Sequence, residues 1–202
     1  HDTAIGIVAG TGTINSAQNL TTTAAITGTT LNVDANTLTL GAAVTAATVV
    51  DDGATLLTVG NTVTGAVTNN GTITLATGGD IVGTTTMADA ADVLNLHDTA
   101  IGIVAGTGTI NSAQDLTTGA TIAGTNLNVT ANTLTLGANV TATTTTISSG
   151  ATLDAATGDD VIDGAVVNNG TLALDASEVT GIITGTGVIT MADDYTVAAA
   201  IT

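Results

Sequence analysis

The sequence predicts an all-β fold, a β-solenoid (parallel β-helix) of about ten coils built from two long repeats. Three observations carry that expectation. The opening phrase HDTAIGIVAGTGTINSAQ at His1 returns letter for letter at His97. Between the two copies run short segments in which apolar and small polar residues alternate, bounded by Gly, Asn and Asp. The 202 residues include no Trp, no Phe and one Tyr, so any core is filled by Val, Ile, Leu and Ala.

The repeat comes first because it organises the rest. Residues 1–45 and 97–141 align without a gap at about 38 identical positions. Beyond them the copies drift, but landmarks persist. DGATLL near Asp52 answers SGATLD near Ser149, AVTNNGTITL answers AVVNNGTLAL, and TMAD at Thr86 answers TMAD at Thr190. The long repeats are therefore residues 1–96 and 97–202, expected to stack as one continuous solenoid.

Within each repeat, LNVDANTLTL, TVTGAVT, GTITL and VLNL read as strands, since Val, Ile and Thr are stiff at χ1 and favour extended backbone. Ala-rich TAATVV and ADAADV allow single turns of helix, but neither has helical charge pairs or strong start signals. The turn phrases GTGTIN, GTTLNV, DGATLL, NNGTIT and TTTMAD recur at intervals of roughly 16–25 residues, a plausible coil length that gives about five coils per long repeat. A β-sandwich usually needs larger side chains to fill a core about 10 Å thick. A solenoid stacks coils at about 4.8 Å around a narrow interior that small aliphatic residues fill. Two sandwich domains, one per repeat, form the rival architecture. Asn and Thr at equivalent turns are expected to form side-chain ladders between coils.

Composition sets the functional classes. Seventeen acids stand against no Lys and no Arg, a formal charge of −17. Such a chain has nothing with which to neutralise phosphates, so nucleic-acid binding is not expected. The same repulsion argues against anionic membrane surfaces, and no apolar run approaches the roughly 20 residues of a spanning helix. The chain is 44% hydrophobic, well above the range of disordered acidic segments. No cysteine is present, and without Lys or Arg there is no trypsin site, which suits an extracellular or cell-surface location.

NNGTITL and NNGTLAL, set among GTG phrases and Thr/Ala/Gly-rich strands, resemble the repeats of large bacterial surface proteins. These are autotransporter-type and filamentous-adhesin passengers, with the related Thr-rich surface-layer and type I-secreted proteins. The resemblance implies an extracellular, right-handed β-helical element with a structural or adhesive role, and it names no ligand.

The candidate sites are few. TGDDVIDG, residues 157–164, resembles half of an RTX-type calcium turn, in which Gly frees the backbone and Asp supplies hard oxygen ligands. Asp159, Asp160 and Asp163 are the candidate calcium ligands, although the tandem nonapeptide of true calcium rolls is missing. The alternative is a solvated acidic turn. Asp51-Asp52-Gly53 and Asp193-Asp194 are weaker versions of the same idea. His1-Asp2 and His97-Asp98 recur one repeat apart, but neighbours on a strand point to opposite faces, so a turn hydrogen bond explains them better than metal or acid–base chemistry. Thr-x-Thr pairs at Thr11/Thr13, Thr37/Thr39, Thr72/Thr74 and Thr133/Thr135 invite comparison with ice-binding ladders, yet their uneven intervals argue against a flat array. The sequons at Asn19, Asn70, Asn128, Asn139 and Asn169 carry little weight, since 48 residues are Thr and N-x-T arises readily by chance. No nucleophile constellation and no oxyanion-stabilising base stands out, so catalysis is not expected.

The expected partner is another copy of the same chain. Stacked strands leave unpaired edges at the ends of a solenoid, and head-to-tail addition of copies would satisfy them. The expected function is an extracellular structural filament, stalk or matrix fibre. A calcium-dependent surface layer and the passenger segment of a bacterial adhesin are the alternatives.

Overall fold

A computed structural model describes residues 3–5, 8–97, 101–155, 160–175, 178–191 and 201. Every regular element among them is a β-strand, and every pairing is parallel. The chain winds as a three-faced solenoid of about ten coils. In chain order each coil crosses a first, a second and a third face, then begins the next coil.

The first face starts with Thr3–Ile5, which pairs with Leu20–Thr22 and then Thr37–Leu40. Its stack continues through Thr55–Thr58, Thr72–Leu75, Val93–Leu96 and Thr109–Ser112. The second face starts with Val8–Ala9 and the third with Thr13–Ser16, both stacked on successive parts of Ile26–Val33. Val93–Leu96 pairs with Thr109–Ser112, so the ladder runs unbroken across the point where the sequence begins to repeat.

Period-two alternation explains the core. Leu38, Leu56, Ile73, Leu94, Ile110 and Leu127 succeed one another on the inner side of the first face, and each is fully buried. Full burial of one such side chain is worth about 1.5–3 kcal/mol. Each coil adds only a few aliphatic residues, and the coils above and below close over them. Aromatic bulk is unnecessary because the gap to fill is one coil wide.

TAATVV is not helical. Residues 45–50 lie in the strand Val44–Val50, with Ala46 and Val50 turned into the core. Ala is small enough to serve either structure, and parallel pairing on both sides decides for the strand. ADAADV forms a turn that enters the strand Val93–Leu96.

The corners follow local chemistry. DGATLL and SGATLD each make a tight turn in which the Ala amide donates back, Ala54 N to Asp51 O at 2.9 Å and Ala151 N to Ser148 O at 3.0 Å. Gly53 and Gly150 supply the positive φ of 74° and 81° that these turns require. Asn36 and Asn132, one repeat apart, take the left-handed conformation at φ 62° and 57°. Their side chains donate to the carbonyls of Ala17 and Ala113 on the coil below, at 3.0 and 2.8 Å.

One feature of the winding is invisible in the repeat itself. Five steps along the first face carry the register from Thr3 to Leu94, a span of 91 residues. The sequence repeats after 96. The second copy therefore starts one face further round. TINS at Thr13–Ser16 lies on the third face, whereas TINS at Thr109–Ser112 lies on the first.

Candidate functional site

Of the residues proposed as calcium ligands, Asp160 immediately precedes the strand Val161–Asn168 and Asp163 lies within it. Asp159 lies outside the described residues. Asp160 is buried, its backbone carbonyl accepts from Glu178 N at 3.0 Å, and its Oδ2 has no hydrogen-bond partner. Asp163 is exposed on the outer side of the strand Val161–Asn168, where its Oδ1 accepts from the Thr180 hydroxyl at 2.6 Å. One carboxylate points in and the other out. Among the described residues no three Asp, Glu or His side chains gather as a metal site would require.

The other acidic motifs resolve into turns. Asp51 is half-buried and Asp52 exposed at the Gly53 corner. His97 is half-buried, while His1, Asp2, Asp98, Asp193 and Asp194 lie outside the described residues. Two carboxylates that sequence reasoning missed are more enclosed. Asp92 is fully buried and its Oδ2 accepts from Asp89 N at 2.7 Å, while Asp89 Oδ1 accepts from Ala91 N at 2.8 Å. The DAAD spacing was the available signal, since Asp side chains commonly bind amides two or three residues along a turn. Asp80 is half-buried with Oδ1 shut off from solvent and unpartnered. Burial pushes its carboxyl above the ordinary range, and a hydrogen bond from the Ile81 amide opposes that shift.

What the fold does assemble is a system of side-chain ladders along the axis. On the first face Asn95 donates to Thr74 Oγ1 at 3.1 Å, Asn111 to Asn95 Oδ1 at 2.9 Å, and Asn128 to Asn111 Oδ1 at 2.9 Å. On the third face Asn32 donates to Asn15 Oδ1 at 3.0 Å. The same two residues of the repeat thus make the same bond on different faces. Inside the corners, the first Asn of each NNG phrase fixes its turn. Asn69 accepts from Gly71 N at 3.2 Å and donates to Val93 O at 3.0 Å, and Asn168 repeats this with Gly170 N and Val188 O at 3.1 and 2.9 Å.

The two ends differ from the middle. On the second face Leu174 is 1% exposed, whereas Met191, stacked on it in the last described rung of that face, is 47% exposed. At the other end Ile14 is half-buried, while Leu31 directly above it is buried. Among the described residues, then, the outermost rungs are less covered than the inner ones, with Ile14 and Ile189 half-buried and Met191 exposed.

No protein-family model, curated protein or solved structure matches this chain. Its class is defined by the fold alone: a repetitive parallel β-solenoid with polar ladders outside and an aliphatic interior.

Proposed function

We propose that the chain is an extracellular structural protein that builds a filament, stalk or matrix fibre by head-to-tail β-stacking of copies. The carrying observation is the unbroken parallel ladder: Val93–Leu96 pairs with Thr109–Ser112 across the point where the sequence begins to repeat, so one module stacks directly on the next. A parallel ladder has no intrinsic stopping point, because each added coil gains the same backbone bonds and covers the same apolar rows. The lack of Lys, Arg and Cys supports a location outside the cell, where proteases and oxidants act.

Charge sets the conditions. Seventeen acids with no Lys or Arg make copies repel, so assembly is expected to strengthen with ionic strength as the screening length falls from about 30 Å at 0.01 M to about 8 Å at 0.15 M. Electron microscopy of the purified chain at rising protein and salt concentration, with and without EDTA, tests the proposal. Fibres that survive EDTA are the expected result. Sheets that dissolve in EDTA would favour a calcium-dependent surface layer, and rods of single-chain length under all conditions would end the filament reading.

A further inference from the structure

We propose that Asn169, and more slowly Asn70, is a site of spontaneous intramolecular deamidation, and that the asparagine before each one sets its rate. The proposal is independent of head-to-tail assembly.

Packing dictates the labile pair. Asparagine precedes glycine at two places in the chain, Asn70-Gly71 and Asn169-Gly170, in equivalent positions of the two long repeats. Both glycines are required by the close approach of the preceding coil. A Cβ on Gly71 would run into the carbonyls of Asp51 and Ala54, and one on Gly170 into those of Ser148 and Ala151. The missing side chain also leaves the glycine nitrogen sterically open to the asparagine side chain before it, which is what makes such a pair reactive.

The two reacting groups are held differently. Among the described residues neither the Asn70 nor the Asn169 side chain makes a hydrogen bond. The other sequon asparagines are tied: Asn19 Oδ1 accepts from Thr37 N at 3.1 Å, Asn139 Oδ1 accepts from Val161 N at 2.9 Å, and Asn128 donates to Asn111. The glycine nitrogens are not free. Gly170 N donates to Asn168 Oδ1 at 3.1 Å, and Gly71 N to Asn69 Oδ1 at 3.2 Å. Asn168 and Asn69 are buried, and each is anchored to the next coil, at Val188 O and Val93 O. A free electrophile therefore sits beside a guarded nucleophile.

The reaction needs the glycine nitrogen without its proton. Hydroxide removes the Gly170 amide proton, and the nitrogen attacks Asn169 Cγ. The Cγ–Nδ2 bond breaks with its electron pair on nitrogen, which takes a proton from water and leaves as ammonia. Water then opens the succinimide at either carbonyl, giving aspartate or isoaspartate. The hydrogen bond to Asn168 stabilises the protonated amide and so slows the first step.

The two copies differ in access and in charge. Asn169 is exposed and Gly170 half-buried, whereas Asn70 is half-buried and Gly71 buried. Asn69 pairs with Val50, which sets Asn70 over Asp51; Asn168 pairs with Ile147, which sets Asn169 over Ser148. The Asp51 carboxylate disfavours a second negative charge on the Gly71 nitrogen. Asn169 is the faster site on both counts. Isoaspartate there adds a main-chain carbon to a corner with no room for a Cβ, so it unseats the coil.

The test is to incubate the full folded chain at mildly alkaline pH, then digest it with a protease other than trypsin and weigh the peptides, with isoaspartyl methyltransferase to reveal isoaspartate. The Asn169 peptide is expected to gain the mass of an amide-to-acid change before the Asn70 peptide, and both more slowly than in urea. Asn168→Ala is expected to speed reaction at Asn169 by about two- to tenfold, the worth of one hydrogen bond, and to leave Asn70 unchanged. Asn168→Ser is expected to keep the slow rate, because its hydroxyl accepts from the amide two residues on although it lacks the amide that holds Val188 O. Equal acceleration in the Ala and Ser variants would show that a loosened corner, not the guarding bond, sets the rate, and would overturn the proposal. If Asn168→Ala does not fold, the unaltered chain still decides: reaction at Asn169 as fast in the native state as in urea, or slower than at Asn70, overturns it.

Discussion

At the scale of single residues, small polar side chains divide into those that join coils and those that are merely enclosed. Asn36, Asn69 and their repeat equivalents join coils: each reaches across to the main chain of a neighbouring coil. Asp80 is enclosed, with one carboxylate oxygen unpartnered, and its raised pKa has a consequence for stability. The folded state holds the proton more tightly than the unfolded state, so ionisation weakens folding. Stability from this group is fully present below the ordinary carboxylate pKa and is lost as pH rises through the raised one. Asp80→Asn is therefore expected to raise Tm near neutral pH and to have no effect near about pH 3, where both proteins are uncharged at this position. A thermal melt series of both proteins across that range decides it; an equal gain at every pH would mean that packing, not charge, is responsible.

At the scale of strands and turns, much was legible in the sequence and the rest was hidden for identifiable reasons. Alternation in LNVDANTLTL and VLNL marks strands because one face of each is buried, and DGATLL marks a turn because only Gly readily takes the φ found at Gly53. TAATVV was ambiguous because Ala suits helix and strand interior alike, and only the neighbouring coils decide. The ladders were expected at turns; Asn36 and Asn132 do bond there, but the amide-to-amide ladders stand on the outer side of strands. The calcium candidates were legible as acids close in sequence. Their directions were not, since the burial of Asp160 depends on how the strand Val161–Asn168 is seated. The ladder makes a quantitative distinction between identical residues. Among the described residues Asn111 bonds to both Asn95 and Asn128, whereas Asn15 bonds to Asn32 alone. At about 0.5–1.5 kcal/mol per bond, Asn111→Ala is expected to cost roughly twice as much as Asn15→Ala in urea unfolding. Equal costs would show that the ladder bonds add nothing measurable.

At the scale of the whole molecule, the repeat and the coil are different units. Steps along the first face range from 16 residues between Leu94 and Ile110 to 21 between Ile73 and Leu94, with the variation taken up at corners. A repeat of 96 residues then holds five coils plus one face, which no reading of the letters alone would give, because the corner lengths appear only once strands are paired. The consequence is that a repeated surface feature is displayed on successive faces and not in one line, so a module-encoded contact with neighbouring fibres would be offered in more than one direction. The displacement can be measured directly. Asn15 and Ala105 lie on the same face, linked by five register steps through Asn32, Val49, Thr68 and Thr86. Five rungs at about 4.8 Å place their backbones about 24 Å apart. Asn111 is the repeat equivalent of Asn15 but stands on the next face. The chain has no cysteine, so paired Cys substitutions can be spin-labelled without background. Electron-spin distances are expected to be shorter for the 15/105 pair than for the 15/111 pair. If the copies were stacked in register, with whole coils per repeat, Asn111 would lie directly over Asn15 and the order of the two distances would reverse.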